Sequence, residues 1–258
     1  MLPAGPDAAR CGWCHNRGMD APPHRPIIYG HRGARAHARE NTVAAYALAI
    51  EHGADGVELD VRRSRDGAII IHHEDRAEPG APTFISQELS AIRAATPWVP
   101  TLDEAWMAIG DEALLNVEIK NDIDEADFDQ SRRIAADVVR WVQSTGESDR
   151  ILISSFDGVA LAAVRDRAPD LATGLLAAAT VHPMKAIEWA KRDGHVSVNL
   201  SMAVVLEDPA GLVSAARPLQ LMVWTVNDPA DAIALAEGGV DALFSDDPAL
   251  IVETFAGV

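Results

Sequence analysis

Cysteine is nearly absent: Cys11 and Cys14 are the only two in 258 residues, both in one turn-prone N-terminal stretch. Two thiols cannot staple a secreted disulfide scaffold, so a reducing compartment is the default and a cytoplasmic protein is expected. Long apolar runs are missing as well. The longest uncharged segment, residues 171–184, is interrupted by Gly174, His182 and Pro183, so neither a membrane span nor a signal peptide is expected. Positive charge is scarce: 22 Lys and Arg stand against 39 Asp and Glu, a net charge of -17. That balance opposes broad contact with nucleic acid or an anionic bilayer, and an anionic substrate would need a local positive centre. Hydrophobic residues at 48%, with Gly 18 and Pro 15, exclude a disordered or collagenous chain and leave enough for a sizeable core. The length suits one large domain better than two small ones.

Residues 1–25, with Pro3, Gly5, Pro6, Pro22 and Pro23, show no periodicity and read as a flexible leader. The domain is expected over residues 26–258. Short apolar runs at 27–30, 56–61, 115–119, 151–154, 173–176, 196–199, 221–224 and 242–244 make eight candidate strands. Stretches of helical spacing fall between most of them, at 42–52, 128–142, 158–167, 183–192 and 229–237. Alternating β and α elements imply parallel strands with crossover helices. Two returns from helix to strand look alike, His52-Gly53-Ala54-Asp55-Gly56-Val57 and Gly238-Gly239-Val240-Asp241-Ala242-Leu243, and one recurring unit suits a barrel. A doubly wound open sheet is the alternative. It would carry a glycine fingerprint after its first strand, and Gly30-His31-Arg32-Gly33 has the wrong spacing.

Glu58-Leu59-Asp60 lies inside a strand-like run, where alternate side chains share a face, so the two acids project together. Burying two adjacent carboxylates is unfavourable unless a cation lies between them. Val117-Glu118-Ile119-Lys120 repeats the anomaly on the next strand, where a buried parallel strand is normally apolar throughout. Three acids at the C-terminal ends of neighbouring strands would converge on one mouth and suit a hard divalent ion, Mg²⁺ or Ca²⁺. The plainer reading of each acid alone is an ion pair with a nearby Arg or Lys. His31 follows the first strand, and His72-His73-Glu74 follows a further apolar run, residues 68–71, after the turn signal Arg65-Asp66-Gly67. Imidazoles exchange protons near neutral pH, as phosphodiester cleavage requires.

The ordered set His31-Arg32-Gly33-Ala34, Glu40-Asn41-Thr42, Glu58-Leu59-Asp60-Val61, Asp66-Gly67 and His73 resembles the glycerophosphodiester phosphodiesterase family, whose fold is a TIM (β/α)8 barrel. Later segments extend the resemblance to the C-terminus: Pro100-Thr101-Leu102-Asp103-Glu104, Val117-Glu118-Ile119-Lys120, Ser154-Ser155-Phe156-Asp157, Val223-Trp224-Thr225-Val226-Asn227, and Ser245-Asp246. By that resemblance Glu58, Asp60 and Glu118 correspond to metal ligands and His31 and His73 to the paired catalytic histidines. Arg32 and Lys120 correspond to phosphate contacts, Trp224 to an aromatic near the substrate, and Glu40 to a supporting carboxylate. The implied reaction converts a small-molecule glycerophosphodiester to sn-glycerol 3-phosphate and an alcohol, with one divalent cation, Mg²⁺ or Ca²⁺. His31 is assigned as the first base and His73 as the acid, and the mirror assignment fits the sequence equally well. Glu74 stands where the family usually has Asp, and the chain between His73 and Pro100 is short, which bears on leaving-group preference.

Two other readings stand beside this one. A lysophospholipase D or sphingomyelinase D-like phosphodiesterase would form a cyclic phosphate, and a non-catalytic barrel would bind phosphodiesters without turnover. Three signals are set aside. Cys11-Gly12-Trp13-Cys14-His15 has haem-attachment spacing but lacks an export signal. The alternating charges at residues 122–133 read as a solvated helix face, and Asp228, Asp231, Asp246 and Asp247 as surface acids. Asn41 is expected to cap the first helix. The oligomeric state is not legible.

Overall fold

The apolar runs become strands and the stretches of helical spacing become helices, alternating through most of the chain. In the computed structural model, residues 25–256 are described. The chain begins with strand β1 (Ile27–His31), helix α1 (Val43–Glu51), strand β2 (Gly56–Arg63) and a short strand β3 (Ile69–Ile71). Helices α2 (Leu89–Ala95) and α3 (Leu102–Ile109) lead to β4 (Leu114–Ile119), α4 (Arg133–Thr145), β5 (Ile151–Ser155), α5 (Gly158–Arg167), β6 (Ala172–Ala177) and α6 (Pro183–Arg192). Then come β7 (Ser197–Ser201), α7 (Met202–Val205), α8 (Pro209–Ala216), β8 (Gln220–Trp224), α9 (Pro229–Glu237), β9 (Ala242–Ser245) and α10 (Pro248–Thr254).

Eight of these strands pair in parallel, and β1 hydrogen-bonds to both β2 and β9, which closes the ring. The fold is a TIM barrel. Closure excludes the doubly wound alternative, because an open sheet keeps two unpaired edges and this ring keeps none. The ninth strand, β3, lies outside the ring as an antiparallel partner of β2. Outward side chains such as Val57, Leu59, Val61, Val117 and Ile119 are buried in the main hydrophobic cluster with the surrounding helices. Inside the ring a second cluster, including Tyr29, Leu152, Met222 and Phe244, plugs the barrel, with the Tyr29 and Phe244 rings stacked 5.0 Å apart. The site therefore sits on a filled floor, at the C-terminal ends of the strands.

The two similar helix-to-strand returns do use left-handed glycine, with φ of +82° at Gly53 and +84° at Gly239. Two local expectations are corrected. Thr42, not Asn41, caps α1, its hydroxyl accepting from the Ala45 amide at 3.2 Å. The helix expected at 128–142 begins only at Arg133, and the charged stretch before it forms turns in which Asp127 is buried. Residues 1–24 of the proposed leader, with the Cys11-Gly12-Trp13-Cys14-His15 stretch, lie outside the described residues, and its last residue, Arg25, pairs with Asp55 at 2.7 Å. No helix among the described residues is long and apolar enough to cross a membrane.

Candidate active site

Strand alternation and barrel register together assemble the acids. Glu58 and Asp60 occupy alternate positions of β2, Asp60 stands opposite Glu118 of β4, and His31 of β1 stands opposite Glu58. One carboxylate oxygen from each of Glu58, Asp60 and Glu118 lies within 4.8 Å of the other two, and all three residues are buried. Each acid is only partly engaged by the protein. Glu58 Oε2 accepts from the Arg32 backbone amide at 2.9 Å, and Asp60 Oδ2 accepts from Asn41 Nδ2 at 2.8 Å. Lys120 Nζ donates to Glu118 Oε1 at 2.9 Å. Among the described residues, Glu58 Oε1 and Asp60 Oδ1 are buried with no hydrogen-bond partner.

Burial, reinforced by Asp60 and Glu118, raises the Glu58 pKa well above the usual carboxylate range. Burial followed by Asp60 pushes Glu118 up to about 7. Burial acts on Asp60 too, yet Arg32 and Lys120 outweigh it and hold this carboxyl below its ordinary value. Two buried oxygens without hydrogen-bond donors, beside two acids whose pKa values are raised by burial and mutual repulsion, are features that a bound cation would relieve. The donor set is all oxygen and fits Mg²⁺ or Ca²⁺.

The turn after β1 brings the cationic side. Arg32 adopts φ +57°, a left-handed conformation uncommon outside glycine, and Gly33 follows at φ +83° with no room for a side chain: a Cβ there would meet the Ala45 backbone at 2.6 Å. This turn aims the Arg32 amide at Glu58 and its guanidinium at Asp60, 3.3 Å away, and at Glu40, 3.0 Å away. Glu40 also pairs with Arg35 at 3.2 Å, so it braces two arginines from behind the cavity.

The β2–β3 hairpin returns the chain so that the His72 amide donates to the Asp60 carbonyl at 2.9 Å. His72 then packs against Phe84 and Trp98, while His73 faces the cavity. His73 Nδ1 lies 2.7 Å from Glu74 Oε1, and its Nε2 lies 3.4 Å from Lys120 Nζ. An ammonium only donates, so Nε2 is the acceptor and Nδ1 carries the hydrogen that Glu74 accepts. Burial lowers the His73 pKa; Asp60 opposes this, and Lys120 and Arg32 add to it. His31 Nδ1 is 2.7 Å from Asp246 Oδ1, and Asn227 Nδ2 donates to the other oxygen of Asp246 at 2.9 Å.

A cavity of about 390 Å³ opens between these groups. His31, Arg32, His73, Glu58, Glu118 and Lys120 line it, and Phe156, Leu176, Trp224 and Phe244 form an apolar wall. The structure thus brings together His31, His73, Arg32, Lys120, Trp224, Glu58 and Glu118 at one cavity, with Asp60 beside them and Glu40 and Glu74 behind. Two participants were misread from sequence. Asp246, taken for a surface acid, backs His31; its place at the end of a strand, in Ser245-Asp246, was the available signal. Asn41, taken for a helix cap, holds Asp60 and accepts from Tyr46 Oη at 3.0 Å.

The profile of the Glycerophosphoryl diester phosphodiesterase family matches residues 31–250. The chain belongs to that family. Membership makes it an enzyme of the phosphodiesterase class. A glycerophosphodiester phosphodiesterase of Caldanaerobacter subterraneus is 30% identical over 246 residues, covering 88% of this chain and 97% of the relative. The crystal structure of a glycerophosphodiester phosphodiesterase from Thermotoga maritima superposes with a TM-score of 0.73 at 25% identity, covering 89% of this chain and 98% of that one. An Oleispira antarctica phosphodiesterase, solved in complex with the product sn-glycerol-3-phosphate, gives a TM-score of 0.77 at 25% identity over 90% of this chain and 97% of that one.

Proposed function

We propose that the protein hydrolyses small glycerophosphodiesters to sn-glycerol 3-phosphate and an alcohol, in a reaction that depends on Mg²⁺ or Ca²⁺ held by Glu58, Asp60 and Glu118. The observation that carries this reading is two carboxylate-backed imidazoles and three cationic side chains, Arg32, Arg35 and Lys120, facing one cavity with a buried triad of acids. The ion would act as a Lewis acid toward a phosphate oxygen. Arg32 and Lys120 would offset the remaining charge that builds around phosphorus, in a site shielded from water.

His73 suits the first base better than His31, the reverse of the assignment made from sequence. Burial keeps it neutral at working pH, and its Nε2 is already an acceptor. In the first step the glycerol 2-hydroxyl oxygen bonds to phosphorus while His73 takes its proton. The bond from phosphorus to the alcohol oxygen breaks, and His31, oriented by its Nδ1 contact with Asp246 Oδ1 at 2.7 Å, protonates that oxygen. In the second step His31 takes a proton from water as the water oxygen bonds to phosphorus. His73 returns its proton to the 2-oxygen, and the ring opens to sn-glycerol 3-phosphate. Trp224, with Phe156 and Leu176, offers the apolar wall against which the carbon skeleton of the substrate would lie.

The test is release of glycerol 3-phosphate from glycerophosphocholine and glycerophosphoethanolamine, with and without EDTA and then with metal restored. Metal-restored release supports the proposal. Accumulation of cyclic phosphate would move the protein to the lysophospholipase D or sphingomyelinase D-like chemistry, and tight binding without product to the non-catalytic barrel.

A further inference from the structure

The third inward side chain of β2 has no place in the chemistry above. Arg62 follows Glu58 and Asp60 at the same alternation, and its side chain is 0% exposed. Every N–H of its guanidinium is used. Nε donates to the backbone carbonyls of His72 at 3.2 Å and His73 at 3.1 Å, and Nη2 donates again to the His73 carbonyl. Nη1 and Nη2 reach the two oxygens of Glu125 at 2.8 Å each, and Nη1 also meets Asp127 at 2.8 and 2.9 Å.

A buried guanidinium with five donors thus joins three segments: the end of β2, the loop carrying His73, and the acidic loop after β4. Such a fork fits planar carboxylates and paired carbonyls, which a lysine cannot reproduce. Among the described residues the imidazole of His73 is held by exposed Glu74 and by Lys120, so the backbone beneath it has to be fixed from elsewhere. Without Arg62 the two carbonyls would lose their donors and the loop would be free to shift, and displacements of about 1 Å in a proton-transfer group already lower rate steeply.

We infer that Arg62 is a positioning residue for catalysis, which sets the His73 imidazole over the cavity through the His72 and His73 carbonyls, with Glu125 and Asp127 holding the guanidinium in place. This rests on the reading of His73 as a catalytic group. It makes residues 122–127, which carry no cavity-lining acid among Glu125 and Asp127, part of the machinery at one remove.

The experiment is a double-mutant cycle of Arg62→Lys with His73→Gln, read with a glycerophosphodiester whose leaving group is p-nitrophenol so that weak activity stays measurable. Melting temperatures are recorded so that every variant is assayed folded. Arg62→Lys is expected to lower kcat about tenfold or more with KM changed less than about threefold, and to change kcat less than about twofold when His73 is already Gln. Glu125→Gln, at a carboxylate 24% exposed that leaves Asp127 on the guanidinium, is the milder variant should Arg62→Lys fail to fold. It is expected to lower kcat about threefold with the same dependence on His73. An equal loss in both backgrounds would mean a general structural role and overturn the inference. Full turnover in His73→Gln alone would instead remove the catalytic reading of His73, and any loss from Arg62→Lys in that active background would overturn the inference too.

Discussion

Metal binding should be strongly pH-dependent, with a sign that follows from the ion-free site. Burial and the neighbouring acids hold Glu118 at about 7 and Glu58 well above the usual carboxylate range, so both retain protons at mildly acidic pH. Ligation needs the deprotonated forms, so an incoming ion has to displace those protons. For one group titrating at about 7, the ionised fraction falls about tenfold between pH 8 and pH 6, equivalent to about 1.4 kcal/mol of binding free energy. Glu58 steepens this further. Calorimetric titration with Mg²⁺ or Ca²⁺ at pH 6, 7 and 8, in buffers of different ionisation enthalpy, should show affinity rising by at least about tenfold and about one or more protons released per ion at pH 6. Glu118→Gln should remove one proton from that count and raise Kd by at least about tenfold. Equal affinity from pH 6 to 8, with no dependence on buffer, would refute the charge assignment and with it the idea that repulsion in the triad is relieved by a cation.

His31→Ala should lower kcat by about 10²- to 10⁴-fold while metal affinity measured by calorimetry stays nearly unchanged; full turnover would remove its acid–base role. Asn41→Ala removes the acceptor of Tyr46 Oη and the amide donor to Asp60 Oδ2, which keeps Arg32 at 3.3 Å, and should destabilise the fold by about 1–3 kcal/mol, seen as a melting temperature lower by several degrees and a weaker metal site. His195 lies far from the cavity, buried and 2.8 Å from Thr173 Oγ1, with burial and then Arg165 lowering its pKa from 6.5 to about 4. Its folded pKa lies below its unfolded one. The unfolded chain therefore binds the extra proton between these values, and stability present above pH 6.5 is lost as the pH falls toward 4, by up to about 3 kcal/mol. Denaturant titrations of the wild type and His195→Gln at pH 7 and 5 should show the smaller loss in the variant.

Local patterning was enough wherever the relevant partner lies on the same strand or turn. Glu58 and Asp60 share a face because β side chains alternate, and Lys120 joins Glu118 for the same reason. His73 stood out from His72 only through the family resemblance, whose spacing from Asp66-Gly67 falls on His73. Where two neighbours were equally suited to one role, local chemistry misled. Asn41 and Thr42 are both good caps, and only the position of Asp60, 19 residues on, drew Asn41 away.

Charge pattern was the weakest guide. The alternating charges at residues 122–133 read as a solvated helix face, but Glu125 and Asp127 turn inward to the buried Arg62 guanidinium. The loop forms because Glu125 and Asp127 meet that guanidinium across more than 60 residues of chain. Asp246 is 215 residues from His31, and the two meet only because β9 closes against β1. The amino-acid sequence by itself therefore determined the alternation of elements, the acids that share a face and the histidines that follow the strands, all consequences of backbone periodicity over a few residues. Tertiary structure alone decided which carboxylate stands behind each imidazole, and which cation holds the loop beneath His73. Barrel closure and register are properties of the whole ring, and no short stretch of chain contains them.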